Sequence, residues 1–211
     1  LKSDTIRIHW NTKVEKFRHE KDWTIYYYKK NKKINIRSDL LLASDGSEST
    51  VKKCLQMKAD TIDYDQSAVI STVETQGSSS DIAYLRFLPK GSLALIPNRA
   101  GKFVSIHCLG KEQADRVRRY DDHHFLHFVE KNFGRRLGDF VSCGERKCHP
   151  VVRSSLEEVT GNRCVFLGNA ANTLHPIAAQ GLNLGFRDVL ALQSALISTS
   201  DDLAPGKPSK E

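Results

Sequence analysis

Apolar and polar positions alternate with a period of two in several stretches near the start of the chain. Ile6 and Ile8 alternate with polar neighbours across 5–10, and Trp23-Thr24-Ile25-Tyr26-Tyr27-Tyr28 is aromatic and β-prone. Ile34-Asn35-Ile36 alternates again beyond a Lys/Asn-rich turn at 29–33. The pattern predicts a small antiparallel meander with one wet face. Asp39-Leu40-Leu41-Leu42-Ala43 is different, because its apolar positions are continuous, as in a strand covered on both faces. It ends abruptly at Ser44-Asp45-Gly46-Ser47.

From Ala68 to Leu109 the period is again two, with strands expected at Ala68–Thr72, Tyr84–Leu88, Leu93–Pro97 and Phe103–Leu109. The last two flank Asn98-Arg99-Ala100-Gly101, whose Asn and Gly suit a tight reversal. Asp121 or Asp122 caps a helix carrying Phe125, Phe128, Val129 and Phe133 on one stripe, closed by Gly134. One further strand is expected from Phe140 to Val152, and a second short buried strand over Arg163–Leu167, ending at Gly168. A helix follows from about Leu182 to Ser198 with Phe186, Val189, Leu190, Gln193 and Leu196 at helical spacing. The stretch 199–211 reads as a linker or disordered tail.

Two buried-type strands, at 39–43 and 163–167, thus bracket a β-rich middle. In an α/β sheet, ligands bind beyond the carboxyl ends of such strands. The middle is then a second sheet covering that crevice, with Leu93, Leu95, Phe103 and Ile106 expected on an apolar inner face.

Composition narrows the classes. The 211 residues are 39% hydrophobic and 27% charged, which suits one globular domain or two small ones. No run approaches the ~20 apolar residues of a membrane-spanning helix, and no basic-then-apolar leader is visible. Five Cys form no disulfide framework, which favours a reducing, cytoplasmic compartment. A formal charge of +7 comes from 32 Lys and Arg against 25 Asp and Glu, with acidic residues interleaved among the later basic groups. No basic run carries the aromatics of a single-strand binder, so no nucleic-acid partner is expected. A solvated basic face, or attraction to an anionic membrane surface, accounts for the charge better.

The chemistry concentrates in Val165–Gly185. A buried strand ends at Gly168, Ala170 and Ala171 leave room, and Asn169 offers both a donor and an acceptor. After Pro176, Gly181 opens a helix whose first backbone N–H groups lack internal partners and favour negative charge beside them. Local physics also allows a strand-turn-helix that serves packing alone, with Gly168 and Gly181 as turn residues and His175 held by a backbone carbonyl. Other constellations are weaker. Cys143…Cys148-His149 lacks zinc spacing, and His123 with His127 fits a solvated helix face, so no metal is expected. Ser47 and Ser49 have no nucleophile elbow, and Cys54 and Cys164 read as packing residues.

The segment Gly168-Asn169-Ala170-Ala171-Asn172, with Leu174-His175-Pro176-Ile177-Ala178 and Gly181-Leu182-Asn183-Leu184-Gly185-Phe186-Arg187-Asp188, resembles the second flavin fingerprint of FAD-dependent aromatic hydroxylases, G-D-A-A-H-x-x-x-P-x-x-G-Q-G-x-N. Ala43-Ser44-Asp45-Gly46-Ser47-Glu48-Ser49-Thr50-Val51-Lys52 resembles the same family's A-D-G-x-x-S-x-V-R motif. Ser92–Pro97 and Arg136-Leu137-Gly138 are similar to its ubiquinone-biosynthesis branch. The likeness runs from about residue 6 to 197 and is most specific over 165–188. Asn169, Asn172, Ala179 and Lys52 depart from the common pattern, and no G-x-G-x-x-G occurs, so the chain resembles an internal fragment, inactive by itself.

The resemblance implies an α/β (α+β) fold, in which a partial FAD-binding domain is interrupted by a mixed-sheet substrate domain. The expected divisions are 1–58 and 159–198 for the flavin part and 59–158 for the substrate part. It implies FAD as cofactor, NAD(P)H as co-substrate, and hydroxylation of a polyprenylated phenol by O₂ through a flavin C4a-hydroperoxide. Asp45 and Gly46 would contact the cofactor. Gly168 and Asn169 would meet its ribityl or pyrophosphate region. Pro176 would line the substrate side of the ring, while Gly181, Leu182 and Asn183 would face the pyrimidine end. No side chain is expected as an essential acid or base. Partner subunits, self-association and peripheral contact at the inner membrane accord with this branch. Hydroxylation of another aromatic, or a catalytically silent lipid- or partner-binding module, remain the alternatives.

Overall fold

The computed structural model of the protein describes residues 5–29, 32–77, 81–98, 102–178 and 180–202. In chain order the strands are β1 (Val14–His19), β2 (Trp23–Lys29), β3 (Lys32–Ser38), β4 (Leu41–Ala43), β5 (Ala59–Thr75), β6 (Tyr84–Leu88) and β7 (Gly91–Pro97). They continue with β8 (Lys102–Gly110), β9 (Phe140–Cys143), β10 (Lys147–Leu156), β11 (Thr160–Gly161), β12 (Cys164–Phe166) and β13 (Asn172–Thr173). The helices are α1 (Thr50–Cys54), α2 (Lys111–Arg118), α3 (Asp122–Phe133) and α4 (Gly181–Asp202). Contacts divide the chain into two units, one of 1–60, 154–174 and 179–211, the other of 61–153 and 175–178.

In the first unit, β1, β2 and β3 form an antiparallel meander in that order. Alternation along β2 sends Trp23, Ile25 and Tyr27 to one side, opposite Ser38, Ile36 and Ile34 of β3. Trp23 is 1% exposed, and its indole N–H donates to the carbonyls of Asn162 and Arg163, each at 3.0 Å. On the wet side the Lys33 ammonium lies 5.2 Å from the centre of the Tyr26 ring. The first strand is not the expected 5–10, where Ile6 and Ile8 are each 56% exposed and unladdered. Pairing decides this: residues 14–19 reach the edge of β2, with Phe17 opposite Ile25.

β4 and β12 are parallel neighbours, with β11 antiparallel on the far side of β12, and β4 has no other partner among the described residues. Leu41, Ala43, Cys164, Phe166, Val51, Trp23 and Leu156 make this unit's core. Cys164 is buried as expected, whereas Cys54, expected to pack, is exposed at the end of α1.

The second unit is an antiparallel sheet in the order β10, β5, β8, β7, β6, with β9 also on β5. Pairings Val69↔His107, Val73↔Phe103 and Leu95↔Ser105 place those side chains on one face. That face is covered by Ala114 and Val117 of α2 and Phe125, Val129 and Phe133 of α3. Asp121 is the cap of α3, its carboxylate accepting from the His124 amide at 2.8 Å, and Gly134 ends the helix at φ 87°.

Two expectations need correction here. Leu93, Leu95 and Phe103 are core residues under the helices, so that face is filled and has no room for a ligand. Ile106 lies on the opposite face with Ile70 and Val104. The expected single strand over 140–152 is broken at 144–146, where Arg146 turns to Asp122 at 2.7 Å and the Gly144 amide donates to Thr72 O. Of the tail expected over 199–211, residues 199–202 instead continue α4, and 203–211, like 99–101 of the reversal and Ala179, lie outside the described residues.

Candidate functional site

The parallel pair fixes the site's floor. Leu41, Leu42 and Ala43 stand opposite Cys164, Val165 and Phe166, and the ladder continues as the Leu167 amide donates to Ala43 O at 2.9 Å. Both strands therefore finish at the same edge, the place where α/β sheets bind ligands. Burial and the nearby Asp45 carboxylate push the Cys164 thiol up to about 11, so it stays protonated beneath this edge.

The loop after β4 is organised by Asp45. Its Oδ2 accepts from the amides of Thr50 at 2.7 Å and Val51 at 3.4 Å, and Ser49 Oγ accepts from the Lys52 amide at 3.0 Å. Together they cap α1. The loop after β12 turns at Gly168, whose φ of 57° a side chain would strain. The Gly168 amide donates to Asp188 Oδ2 on α4 at 2.8 Å. Gly168 and Gly185 face each other without side chains: a Cβ built on Gly185 would lie 3.5 Å from Gly168 Cα.

Between these loops and α4 opens a cleft of about 510 Å³, within the usual range of ligand sites. Gly46, Gly168, Asn169, Gly181, Leu182 and Gly185 line it. The Leu184 amide donates to Gln180 O at 3.0 Å, the first helical bond of α4 among the described residues. Its first turn carries no acidic side chain to neutralise that end.

Most of the expected contact residues meet in this cleft. Asp45 instead lines a neighbouring one of about 460 Å³ beside Lys13, Leu42 and Thr50. Asn183 sits in the first turn of α4 but outside the lining, its amide donating to Gln180 Oε1 at 3.2 Å. Pro176 belongs to the second unit, where it opens the turn Pro176–Ala178 and is itself exposed. Gly181 is helical rather than left-handed, and a Cβ there would meet only Asn169 Oδ1, at 3.9 Å. Its lack of a side chain is thus not required by the chain's own packing. Asp188 and Gly185 were not singled out, although Gly181, Gly185 and Asp188 recur at i, i+4 and i+7 on one helix face. A glycine-lined floor and the first amides of a helix fit the flat, electron-rich edge of a flavin. Asp121, His123 and His124 gather ligand atoms within 4.8 Å of one another, but all three are exposed.

Residues 1–206 match the family described as FAD binding domain. The chain belongs to that family. The FAD-binding domain chain is 29% identical over 174 residues to the ubiquinone hydroxylase UbiL of Rhodospirillum rubrum, covering 82% of this chain and 41% of that protein. It is 28% identical over 166 residues to the 3-demethoxyubiquinol 3-hydroxylase of Escherichia coli, covering 77% and 41%. It therefore spans about two-fifths of the length of these relatives. Among solved structures it is similar to p-nitrophenol 4-monooxygenase PnpA of Pseudomonas putida, with TM-score 0.72, 20% identity, and coverage of 93% of this chain and 50% of that one. The aklavinone-11 hydroxylase, solved with FAD and aklavinone, gives TM-score 0.63 at 15% identity over 86% and 37%. These likenesses establish a flavoprotein hydroxylase fold. No helix among the described residues is long and apolar enough to cross a membrane.

Proposed function

We propose that this chain forms the flavin-ring end and substrate sheet of an FAD-dependent monooxygenase that hydroxylates a polyprenylated phenol in ubiquinone biosynthesis. The observation carrying this reading is the glycine-lined cleft at the shared carboxyl edge of β4 and β12, built from the residues that resemble the family's flavin motifs. The overall change takes the phenol, O₂, NAD(P)H and a proton to the ring-hydroxylated product, NAD(P)⁺ and water. FAD, when bound, supplies the redox and oxygen chemistry.

The chain's own residues bind and orient. Gly46 and Gly168 keep the floor low, Asn169 offers an amide, and the amides of 181–183 present partial positive charge to the pyrimidine edge. By its place in the motif, Pro176 would line the substrate side of the ring. The open face of the sheet, with Ile70, Val104 and Ile106, shields the prenylated phenol from water. The positive charge of the chain draws it to an anionic membrane surface, where such a substrate resides. Flavin titration followed by turnover of a short-chain prenylated phenol with NAD(P)H tests the reading. Saturable binding and hydroxylated product support it; no flavin binding to the protein carrying this chain overturns it.

A further inference from the structure

His175 stands immediately before the Pro176–Ala178 turn, and both of its ring nitrogens are engaged. The backbone amide of Ile177 donates to Nδ1 at 3.1 Å, so Nδ1 carries the lone pair and the ring proton sits on Nε2. Nε2 faces Gln66 Oε1 at 3.3 Å and donates to it. The ring also stands edge-on to Tyr64, with centroids 5.0 Å apart at 88°. Tyr64 and Gln66 both belong to β5. The imidazole thus grips the turn with one nitrogen and the sheet strand with the other.

We propose that His175 is a pH-sensitive clasp that pins the Pro176–Ala178 turn to β5, a device internal to the second unit. The device works only in the neutral form carrying its proton on Nε2. A proton added at Nδ1 turns the acceptor into a donor facing the Ile177 N–H, and the turn loses its anchor. Burial holds His175 below the usual imidazole range, which keeps the neutral form in place at neutral pH. Tyr64 is the titratable group packed on the ring. The nearby carboxylates of β5, Asp63 and Asp65, are paired with Lys111 at 2.8 and 3.3 Å.

The test combines ring ¹⁵N shifts and amide exchange at Ile177 in the protein and in two variants. His175→Asn keeps an acceptor near the Nδ1 position, whereas His175→Phe keeps only the ring. We expect the wild-type ring to show the Nε2–H tautomer, with Ile177 protection lost as pH falls through the His175 titration. Ile177 exchange should rise about tenfold in His175→Phe and stay near wild type in His175→Asn. An Nδ1–H tautomer, or Ile177 protection indifferent to pH in the wild type, overturns the proposal without requiring either variant to fold. Ile177 exchange in His175→Phe no faster than in the wild type overturns it as well.

Discussion

The Gly168 amide and the Asp188 carboxylate, twenty residues apart, meet in a 2.8 Å hydrogen bond that ties the loop after β12 to α4. The bond joins the floor of the cleft to the helix that forms its wall, where Gly168 and Gly185 already touch closely. A carboxylate accepting from a backbone amide is the stronger kind of hydrogen bond. Asp188→Ala should cost about 1.5–3 kcal/mol of stability and loosen the floor. Denaturant unfolding and flavin titration check it. Asp188→Asn, which can still accept, should lose less in both.

Gly181→Val separates ligand approach from packing. The position is helical and open, so unfolding should shift by less than about 1 kcal/mol. The added side chain projects into the cleft, and flavin affinity should fall at least about tenfold. Gly168→Ala behaves oppositely, since its φ of 57° makes any Cβ costly to the fold, by about 1–2 kcal/mol.

The two faces of the large sheet should respond differently to substitution. Leu93→Ala removes a side chain buried under α2 and α3 and should cost about 2–5 kcal/mol, measured by urea unfolding. Ile106→Ser, on the open face, should cost less and should weaken binding of a prenylated phenol at unchanged flavin affinity. Equal stability losses at both positions would contradict the face assignment.

Acid should destabilise the second unit through His107. It is wholly buried between the rings of Phe125 and Phe128, neither nitrogen has a hydrogen-bond partner, and desolvation lowers its pKa to about 3. The unfolded chain takes up the proton near pH 6.5 and the folded chain does not until about pH 3. Stability is therefore complete above pH 6.5 and falls by up to about 1.4 kcal/mol per unit below it. His107→Leu should flatten that dependence and leave the neutral-pH midpoint equal or higher, because it removes two unpaired buried nitrogens. Urea midpoints across pH 4–8 supply the measurement.

What could be read from the sequence follows the strength of local signals. β6 matches its expected span, and α3 takes the expected cap at Asp121 and stop at Gly134, because alternation and capping are local. The two short apolar runs are strands as expected, while their pairing as β4 and β12 is a matter of the three-dimensional fold. β1 and α2 escaped notice. Val14–His19 is half charged and is a strand because β2 supplies its ladder, and α2 shows only Ala114 and Val117 as its buried stripe. In the cleft, motif residues such as Gly168 and Asn169 were legible. The cap made by Asp45 and the tie made by Asp188 were not, because each depends on which amide a carboxylate meets in three dimensions.

The burial of Trp23 makes the two units optically unequal. Both tryptophans of the chain, Trp10 and Trp23, lie in the first unit, and Trp10 is 77% exposed. Fluorescence that shifts on unfolding thus comes from Trp23, whose indole holds Asn162 and Arg163, 139 and 140 residues away, against β2. Emission reports whether the two distant halves of the first unit have closed on each other. The second unit, lacking an indole, melts unseen by the same lamp, so a fluorescence transition and a circular-dichroism transition on this chain measure different events.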